Sequence, residues 1–254
     1  MKTTPFIKQF HTDLHTLGLQ QDSVVIVHSS LKSFGHVEGG AQTVIDALLS
    51  YLAPNGTLLM PGLSYMHVHK SHPIFDIRNT PSCVGIIPET FRQMGGVLRS
   101  MHPTHSVCGM GNRAKELLNH HHKDHTPCGE NSPFHLLPKV DGYVLMLGCG
   151  LRPNTSFHAI EELVDPPYLY GGKQKYTLIN EKGESTKKEY LTHGFAKTKQ
   201  RYDRIAQVLD EPGMLFSKVC GAESFLLHAP AMWDAALTKY REDPLYFVDQ
   251  VKPL

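Results

Sequence analysis

Three polar segments hold the residue types from which an acid–base or anion-binding site can be made. The first is His28-Ser29-Ser30-Leu31-Lys32-Ser33-Phe34-Gly35, followed by Val37-Glu38-Gly39-Gly40. Free N–H groups at a helix start, a dense set of hydroxyls and the point charge of Lys32 suit a phosphate. The segment has neither the Gly-x-x-x-x-Gly-Lys-Ser/Thr nor the Gly-x-Gly-x-x-Gly spacing, and a polar surface loop would look the same. The second is Asn154-Thr155-Ser156-Phe157-His158-Ala159-Ile160-Glu161-Glu162. If Thr155 or Ser156 caps a helix, His158 lies in its first turn, with Glu161 one turn on along the same face. A carboxylate there orients an imidazole and raises its basicity, which is what a general base working near neutral pH needs. The competing reading is a solvent-facing His–Glu pair of little energetic weight. The third is Ser100-Met101-His102-Pro103-Thr104-His105-Ser106-Val107, whose proline excludes a helix interior. It could supply catalytic hydrogen bonds or cap neighbouring elements.

Seventeen histidines invite a metal reading, above all the run His120-His121-His122-Lys123-Asp124-His125 and the pair His67-x-His69. A His-rich metal-binding protein without catalysis is therefore the rival from a different class. Against it, there is no His-Glu-x-x-His and no clustered cysteine, and the run follows a helix end beside Pro127 and Gly129, so no native metal site is expected. The five cysteines, Cys83, Cys108, Cys128, Cys149 and Cys220, are odd in number and lack a CxxC spacing, which points to reduced thiols. Cys149 abuts an apolar strand and Cys108 has no neighbour that would depress its pKa, so neither is taken as a nucleophile.

These segments need elements to position them. Phe6, Ile7, Phe10, Leu14 and Leu17 recur at helical steps, and Gly18 ends that helix. Val24 to His28 is apolar on both faces, as a strand covered by helices should be. Ala41 to Leu52 predicts a helix stopped by Pro54-Asn55-Gly56, and Leu58 to Met60 a strand. This strand–helix–strand unit implies a right-handed crossover and a mostly parallel sheet. Gly62 to Asn79 shows no period and is expected to be irregular. Helices are predicted over Val84–Met94 and Gly111–Asn119, and a buried strand over Tyr143–Leu147. A helix follows from about Ser156 to Val164, and Tyr176–Ile179 with Thr186–Tyr190 forms a β-hairpin. The remainder predicts a helix near Lys199–Leu209, a strand at Met214–Val219 and a helix from Pro230 to Tyr240. With no repeat and no low-complexity linker, the 254 residues predict a single α/β domain: a central, mostly parallel sheet flanked by helices, with an inserted hairpin.

Composition narrows the function classes. A hydrophobic fraction of 41% with 19% charged residues is that of an ordinary globular chain. Twenty-five Lys+Arg against 24 Asp+Glu leave a formal net charge of +1, so no global field drives binding to nucleic acid or an anionic membrane. No apolar run approaches the ~20 residues of a membrane helix, and Met1-Lys2-Thr3-Thr4-Pro5 lacks a secretion signal's apolar core, so the cytoplasm is the expected location.

In this order, the segments resemble the aminoglycoside 3-N-acetyltransferase family of acetyl-CoA-dependent antibiotic acetyltransferases. The likeness rests on His28-Ser29-Ser30-Leu31 with Val37-Glu38-Gly39-Gly40, Gly56-Thr57-Leu58-Leu59-Met60-Pro61, and Phe75-Asp76 with Thr80-Pro81-Ser82. It continues through Arg99-Ser100 with His102 to Val107, Asn154-Thr155-Ser156 with His158 and Glu161, and Tyr202-Asp203-Arg204-Ile205. The resemblance implies a fold distinct from the common small N-acetyltransferase fold. It places CoA on Ser29, Ser30, Leu31, Lys32, Ser33 and Phe34, with Ser106 and Val107 at the pantetheine arm. His158 matches the catalytic histidine, Glu161 the carboxylate after it and Asp203 a late acidic residue. The implied reaction is direct transfer of acetyl to a small-molecule amine, such as the 3-amino group of an aminoglycoside, with resistance as its consequence and no acyl-enzyme. Acyl transfer to another acceptor, or hydrolysis, would fit the same scaffold, and a homodimer is compatible with it. Two departures bear on the acceptor: Gly62-Leu63 stands where a Thr-Phe-like pair is expected, and Arg152-Pro153 where an acidic residue often precedes Asn-Thr. A resistance enzyme should line its pocket with carboxylates to meet a polycation.

Overall fold

The computed structural model describes residues 4–251. Thr4 opens the first helix, α1 (Pro5–Thr16), by accepting the Ile7 N–H, and the apolar spacing turns Ile7, Phe10 and Leu14 inward. Then come β1 (Val24–Ser29), α2 (Gly40–Leu52) and β2 (Thr57–Pro61), the predicted crossover, with Val24 beside Thr57 in parallel register. A short β3 (Ile74–Asp76), α3 (Ile86–Gln93), β4 (Leu98–Arg99), β5 (Val107–Gly111), α4 (Ala114–Leu118) and α5 (Pro133–Leu136) lead to β6 (Tyr143–Leu147) and α6 (Phe157–Val164). The hairpin is β7 (Tyr170–Ile179) and β8 (Ser185–His193). The chain closes with β9 (Thr198–Gln200), β10 (Met214–Val219), β11 (Ala222–His228), α7 (Ala229–Glu242) and β12 (Val248–Gln250).

The central sheet has the order β10-β11-β6-β1-β2-β5-β4. Five of its seven strands point one way, and β11 and β5 run against them, so parallel pairing is confined to β6-β1-β2 at the centre. Strand alternation divides the apolar residues between two layers. Val24, Ile26, Val144 and Met146 face α4 to α7, whereas Val25, Val27, Leu145 and Leu147 face α1 to α3. The hairpin pairs through β7 with β3 and keeps a small core of its own, Val68, Phe75, Ile77, Tyr176, Leu178 and Tyr190.

Four local expectations change, the first being that Ile74–Asp76, inside the stretch expected to be irregular, is a strand paired with β7. Lys199–Leu209 is not an α-helix: β9 pairs with β12, and a 3-10 turn over Tyr202–Gln207 follows. Arg201 and Arg204 both bond Asp249, and Arg204 also bonds the Tyr246 and Val248 carbonyls, which ties this stretch to the C-terminal strand. The predicted helix from Gly111 begins only at Ala114, because Val107–Gly111 is a strand antiparallel to β2. The strand β11 is an addition to the expected elements. It follows β10 through the two-residue turn Cys220-Gly221, both at positive φ, which suits the twist of a tight hairpin.

Candidate active site

The candidate site sits at the carboxyl ends of β1 and β6, where open sheets with parallel central strands bind ligands. β1 ends in His28-Ser29, and the Ser30 N–H bonds the Leu147 carbonyl, holding the serine-rich loop against the end of β6. Gly148 must lack a side chain: its φ is +72°, and a Cβ would fall 1.8 Å from the Ser33 hydroxyl. A cleft of about 80 Å3 opens here, walled by His28, Ser29, Pro61, Cys149, Pro153 and Thr155. The Ser29 hydroxyl and His28 Nε2 are buried with no protein partner among the described residues. Burial, reinforced by the neighbouring His158, pushes the His28 pKa down to about 3, so its ring is neutral at pH 7.

Within the serine-rich loop the side chains divide. Leu31 and Phe34 turn inward, Phe34 lying 6.2 Å from both Phe6 and Phe10, and they anchor the turn on α1. Lys32 is exposed, and the Ser33 hydroxyl donates to the Ser30 carbonyl. Ser106 and Val107 are fully buried. The Ser106 hydroxyl donates to Gly62 O at 2.7 Å and accepts from Arg99 Nε at 2.9 Å, so its one O–H is already engaged. Gly62 is likewise a packing position, since a Cβ there would press on Cys108 Sγ at 3.0 Å and Ser106 Oγ at 3.3 Å. Arg152 is spent on the Gln200 carbonyl.

Neither Thr155 nor Ser156 supplies the side-chain cap of α6. Asn154 Oδ1 accepts the Ser156 N–H at 3.1 Å, and the His158 N–H bonds the Thr155 carbonyl. His158 then occupies the first turn as expected, with Nδ1 2.9 Å from Glu161 Oε2. A carboxylate only accepts, so Nδ1 carries the proton and Nε2 the lone pair. The Glu161 side chain is 0% exposed. Its Oε2 also accepts from Tyr202 at 2.9 Å, and its Oε1 accepts from Tyr168 at 2.8 Å and Tyr240 at 3.2 Å. Four donors thus compensate a buried carboxylate. Burial and the neighbouring Glu161 raise the pKa values of all three tyrosines, keeping them protonated as donors.

The tyrosines are what sequence reasoning missed. In the sequence, Tyr202-Asp203 stands out for its acid. Asp203 instead pairs with Arg201 at a half-exposed position, and the structure does not bring it to His158. Two further histidines do arrive: ring centroids lie 5.8 Å apart for His105 and His158, 5.1 Å for His158 and His193, and 5.3 Å for His105 and His193. Burial and neighbouring imidazoles hold the pKa of His105 well below its ordinary value. Burial also lowers that of His193, against the opposing pull of Glu162. His193 had no sequence signal beyond its residue type.

The run from His120 to His125 is splayed. His121 is buried, with Nδ1 on Ser100 and Nε2 on the Pro127 carbonyl, while His120, His122 and His125 are exposed. All five cysteines are free thiols; burial raises Cys108 to about 11 and Cys149 to about 12, too high for nucleophiles at neutral pH. No helix among the described residues is long and apolar enough to cross a membrane.

Residues 26–241 match the family model described as aminoglycoside 3-N-acetyltransferase. The chain is 33% identical over 242 residues to the SPbeta prophage-derived aminoglycoside N(3')-acetyltransferase-like protein YokD of Bacillus subtilis, covering 87% of each chain. It is 30% identical over 241 residues to aminoglycoside N(3)-acetyltransferase IV of a Salmonella species, covering 92% of this chain and 87% of the relative. Among solved structures, aminoglycoside acetyltransferase AAC(3)-Xa superposes with a TM-score of 0.83 at 26% identity, covering 93% of each chain. A histidine-to-alanine variant of AAC(3)-IVa in complex with apramycin superposes with a TM-score of 0.78 at 27% identity, covering 96% of each chain. The sheet, its helical layers and the sequence blocks gathered at the carboxyl ends of β1 and β6 agree with these likenesses, and the chain belongs to the aminoglycoside 3-N-acetyltransferase family, which makes it an acyltransferase.

Proposed function

We propose that this chain transfers the acetyl group of acetyl-CoA directly to an amine, with His158 as general base and the 3-amino group of an aminoglycoside as the first acceptor to test. The observation that carries the reading is the His158–Glu161 pair inside its cage of three tyrosine hydroxyls, beside the cleft at Ser29. The residues present suit the cosubstrate: the Ser29 hydroxyl is buried without a partner, and α2 starts on Gly39-Gly40 with no side-chain cap. Ser29, Ser30, Ser33 and Lys32 would hold its phosphates, with Leu31 and Phe34 fixing the turn beneath them. Acetyl-CoA would supply the thioester, whose C–S bond breaks as the amine's C–N bond forms, releasing the CoA thiolate. His158 Nε2, its lone pair set by the Nδ1–Glu161 bond, accepts the proton the attacking amine loses. Glu161 stabilises the resulting imidazolium, and its tyrosine donors keep the carboxylate from rotating away.

One observation favours a less cationic acceptor. A cavity of about 440 Å3 reaches His105 and His193, and its walls include Lys70 and Lys173 but no carboxylate. A polycationic antibiotic would meet no carboxylate in that lining, whose Lys173 and His193 are already paired with Glu189 and Glu162. Thiol release from acetyl-CoA over a panel of aminoglycosides and simpler amines separates the two. Turnover on the aminoglycosides supports the first acceptor. Turnover on simple amines alone supports the second, and CoA binding without turnover on any amine removes N-acetyl transfer. Free thiols and the balanced charge are consistent with a cytoplasmic location.

A further inference from the structure

One ring nitrogen from each of His105, His158 and His193 lies within 4.8 Å of the other two, and among the described residues they are the one group of three His, Cys, Asp or Glu side chains so placed. They come from three distant segments: the loop before β5, the first turn of α6 and the end of β8. Each ring has its other nitrogen held. His158 Nδ1 bonds Glu161 Oε2 at 2.9 Å, His193 Nε2 bonds Glu162 Oε1 at 2.7 Å, and His105 Nδ1 lies 2.9 Å from Thr104 Oγ1. Glu162 is itself fixed, accepting from the Thr126 hydroxyl at 2.5 Å and the Cys128 N–H at 2.8 Å. The nitrogens these bonds leave are His158 Nε2, His193 Nδ1 and His105 Nε2. His193 Nδ1 is buried, with no hydrogen-bond partner, on a side chain only 2% exposed. A carboxylate accepting from one imidazole nitrogen while the other bears an unshared pair is the arrangement that orients histidine metal ligands. A buried lone pair without a donor is a place for a bound water or a cation.

We propose that His105, His158 and His193 form a binding site for a divalent transition-metal ion of the zinc class, with the fourth position open. Zinc–nitrogen bonds of about 2.0–2.1 Å in a tetrahedron put the nitrogens roughly 3.3 Å apart, so the rings must draw in by about 1.5 Å at most. The ligand set contains no carboxylate or thiolate, which favours zinc, cobalt, nickel or copper over magnesium or calcium. The metal and the transferred proton compete for His158 Nε2, so the loaded and the base-competent states exclude one another. The inference shares that atom with the proposed function but does not depend on acetyl transfer.

The test uses untagged protein stripped with a chelator and titrated with Co2+, then with Zn2+ in competition. The expected result is one ion per chain, displaced by zinc, with the visible bands of four-coordinate cobalt. His193→Ala, checked for folding by circular dichroism, should lose more affinity than the roughly 10- to 100-fold expected for Glu162→Gln, whose carboxylate only orients the ring. His121→Ala/His125→Ala should bind as wild type. No stoichiometric cobalt or zinc in the wild type, full binding by folded His193→Ala, or loss in the His121/His125 variant would each overturn the proposal. Acetyl transfer by the same stripped protein separates the readings. Zinc that titrates turnover to zero at one equivalent supports both. Zinc that restores turnover to an inactive stripped protein keeps the metal and removes the free-base mechanism. Absent metal binding with intact turnover removes the metal alone.

Discussion

Two buried ions, Arg99 and Glu161, are satisfied equally well and to opposite ends. Arg99 has no carboxylate in ion-pair range among the described residues. It donates to the Thr80, Ile77 and Gly62 carbonyls and to Ser106 Oγ, and its guanidinium lies 4.8 Å from the Phe75 ring centroid. Burial lowers its pKa to about 10, still far enough above neutral to keep the charge. Its hydrogen bonds end in backbone or in a hydroxyl already used. Glu161 also holds four bonds, but one partner is an imidazole whose far nitrogen remains available. The blocks Phe75-Asp76, Thr80-Pro81-Ser82 and Arg99 to Val107 therefore meet in a knot of scaffold, whereas Asn154 to Glu161 builds a group able to react. Resemblance to a family brings both kinds of block forward together, and the unspent valence tells them apart.

Replacing one residue from each region should break the comparison cleanly. His158→Ala is expected to lower kcat by about 10²–10⁴-fold while leaving the CoA dissociation constant near wild type, as measured by thiol release and calorimetry. Turnover unchanged in a folded variant would return the Glu161 cage to a structural role. Arg99→Met should do the reverse, lowering the unfolding free energy in urea by about 3–5 kcal/mol because three carbonyls lose their donor, with kcat of the folded fraction nearly unchanged. A comparable fall in kcat at full stability would mean that Arg99 touches substrate after all.

Smaller effects sharpen the same contrast. His121 bonds Ser100, next to Arg99, and burial pushes its pKa down to about 4. Its folded value lies below the unfolded 6.5, so the stability it supports is complete above pH 6.5 and is lost as pH falls toward 4, to a limit of about 3 kcal/mol. The stability gap between wild type and His121→Gln should narrow over that range, and a constant gap would rule the linkage out. Tyr202→Phe removes a hydroxyl shared by His158 and Glu161 and should cost kcat roughly tenfold, or about 1.4 kcal/mol. Asp203→Asn, one residue on, breaks only a half-exposed pair with Arg201 and should alter stability by less than about 1 kcal/mol, with turnover near wild type. Equal losses in these two variants would mean that the 3-10 turn acts as a unit.

The legible parts of this molecule were those written in local spacing. β1, β6 and α6, and the pairing of His158 with Glu161, follow from runs of a few residues and from the i, i+3 geometry of a helix. What escaped depends on long-range contact. Tyr168, Tyr202 and Tyr240 converge on one carboxylate from positions 7, 41 and 79 residues away. His193 reaches the site only because β8 ends where its last residue meets Glu162 of α6. Ser106 looked available because its hydroxyl is polar, and only the packing of Arg99 and Gly62 shows it to be used. The density of the histidine run does not gather its rings: His121 is buried on Ser100 and the Pro127 carbonyl, and the other three are exposed.

The hairpin that delivers His193 resembles a cantilever. It is clamped at its base, where the Leu191 N–H bonds the His125 carbonyl, the Gly194 N–H bonds Leu169 O and His193 grips Glu162, and again along its length, where Thr177–Ile179 pair with β3 and Lys188 donates to the His122 and Asp124 carbonyls. Its far end, Glu181-Lys182-Gly183, is exposed and touches neither main core. A beam so held is free to bend only at its turn, so amide protection should persist through the stretch paired with β3 and fall at Glu181-Lys182-Gly183. The imidazole triangle can thus remain in register while the turn at the far end moves.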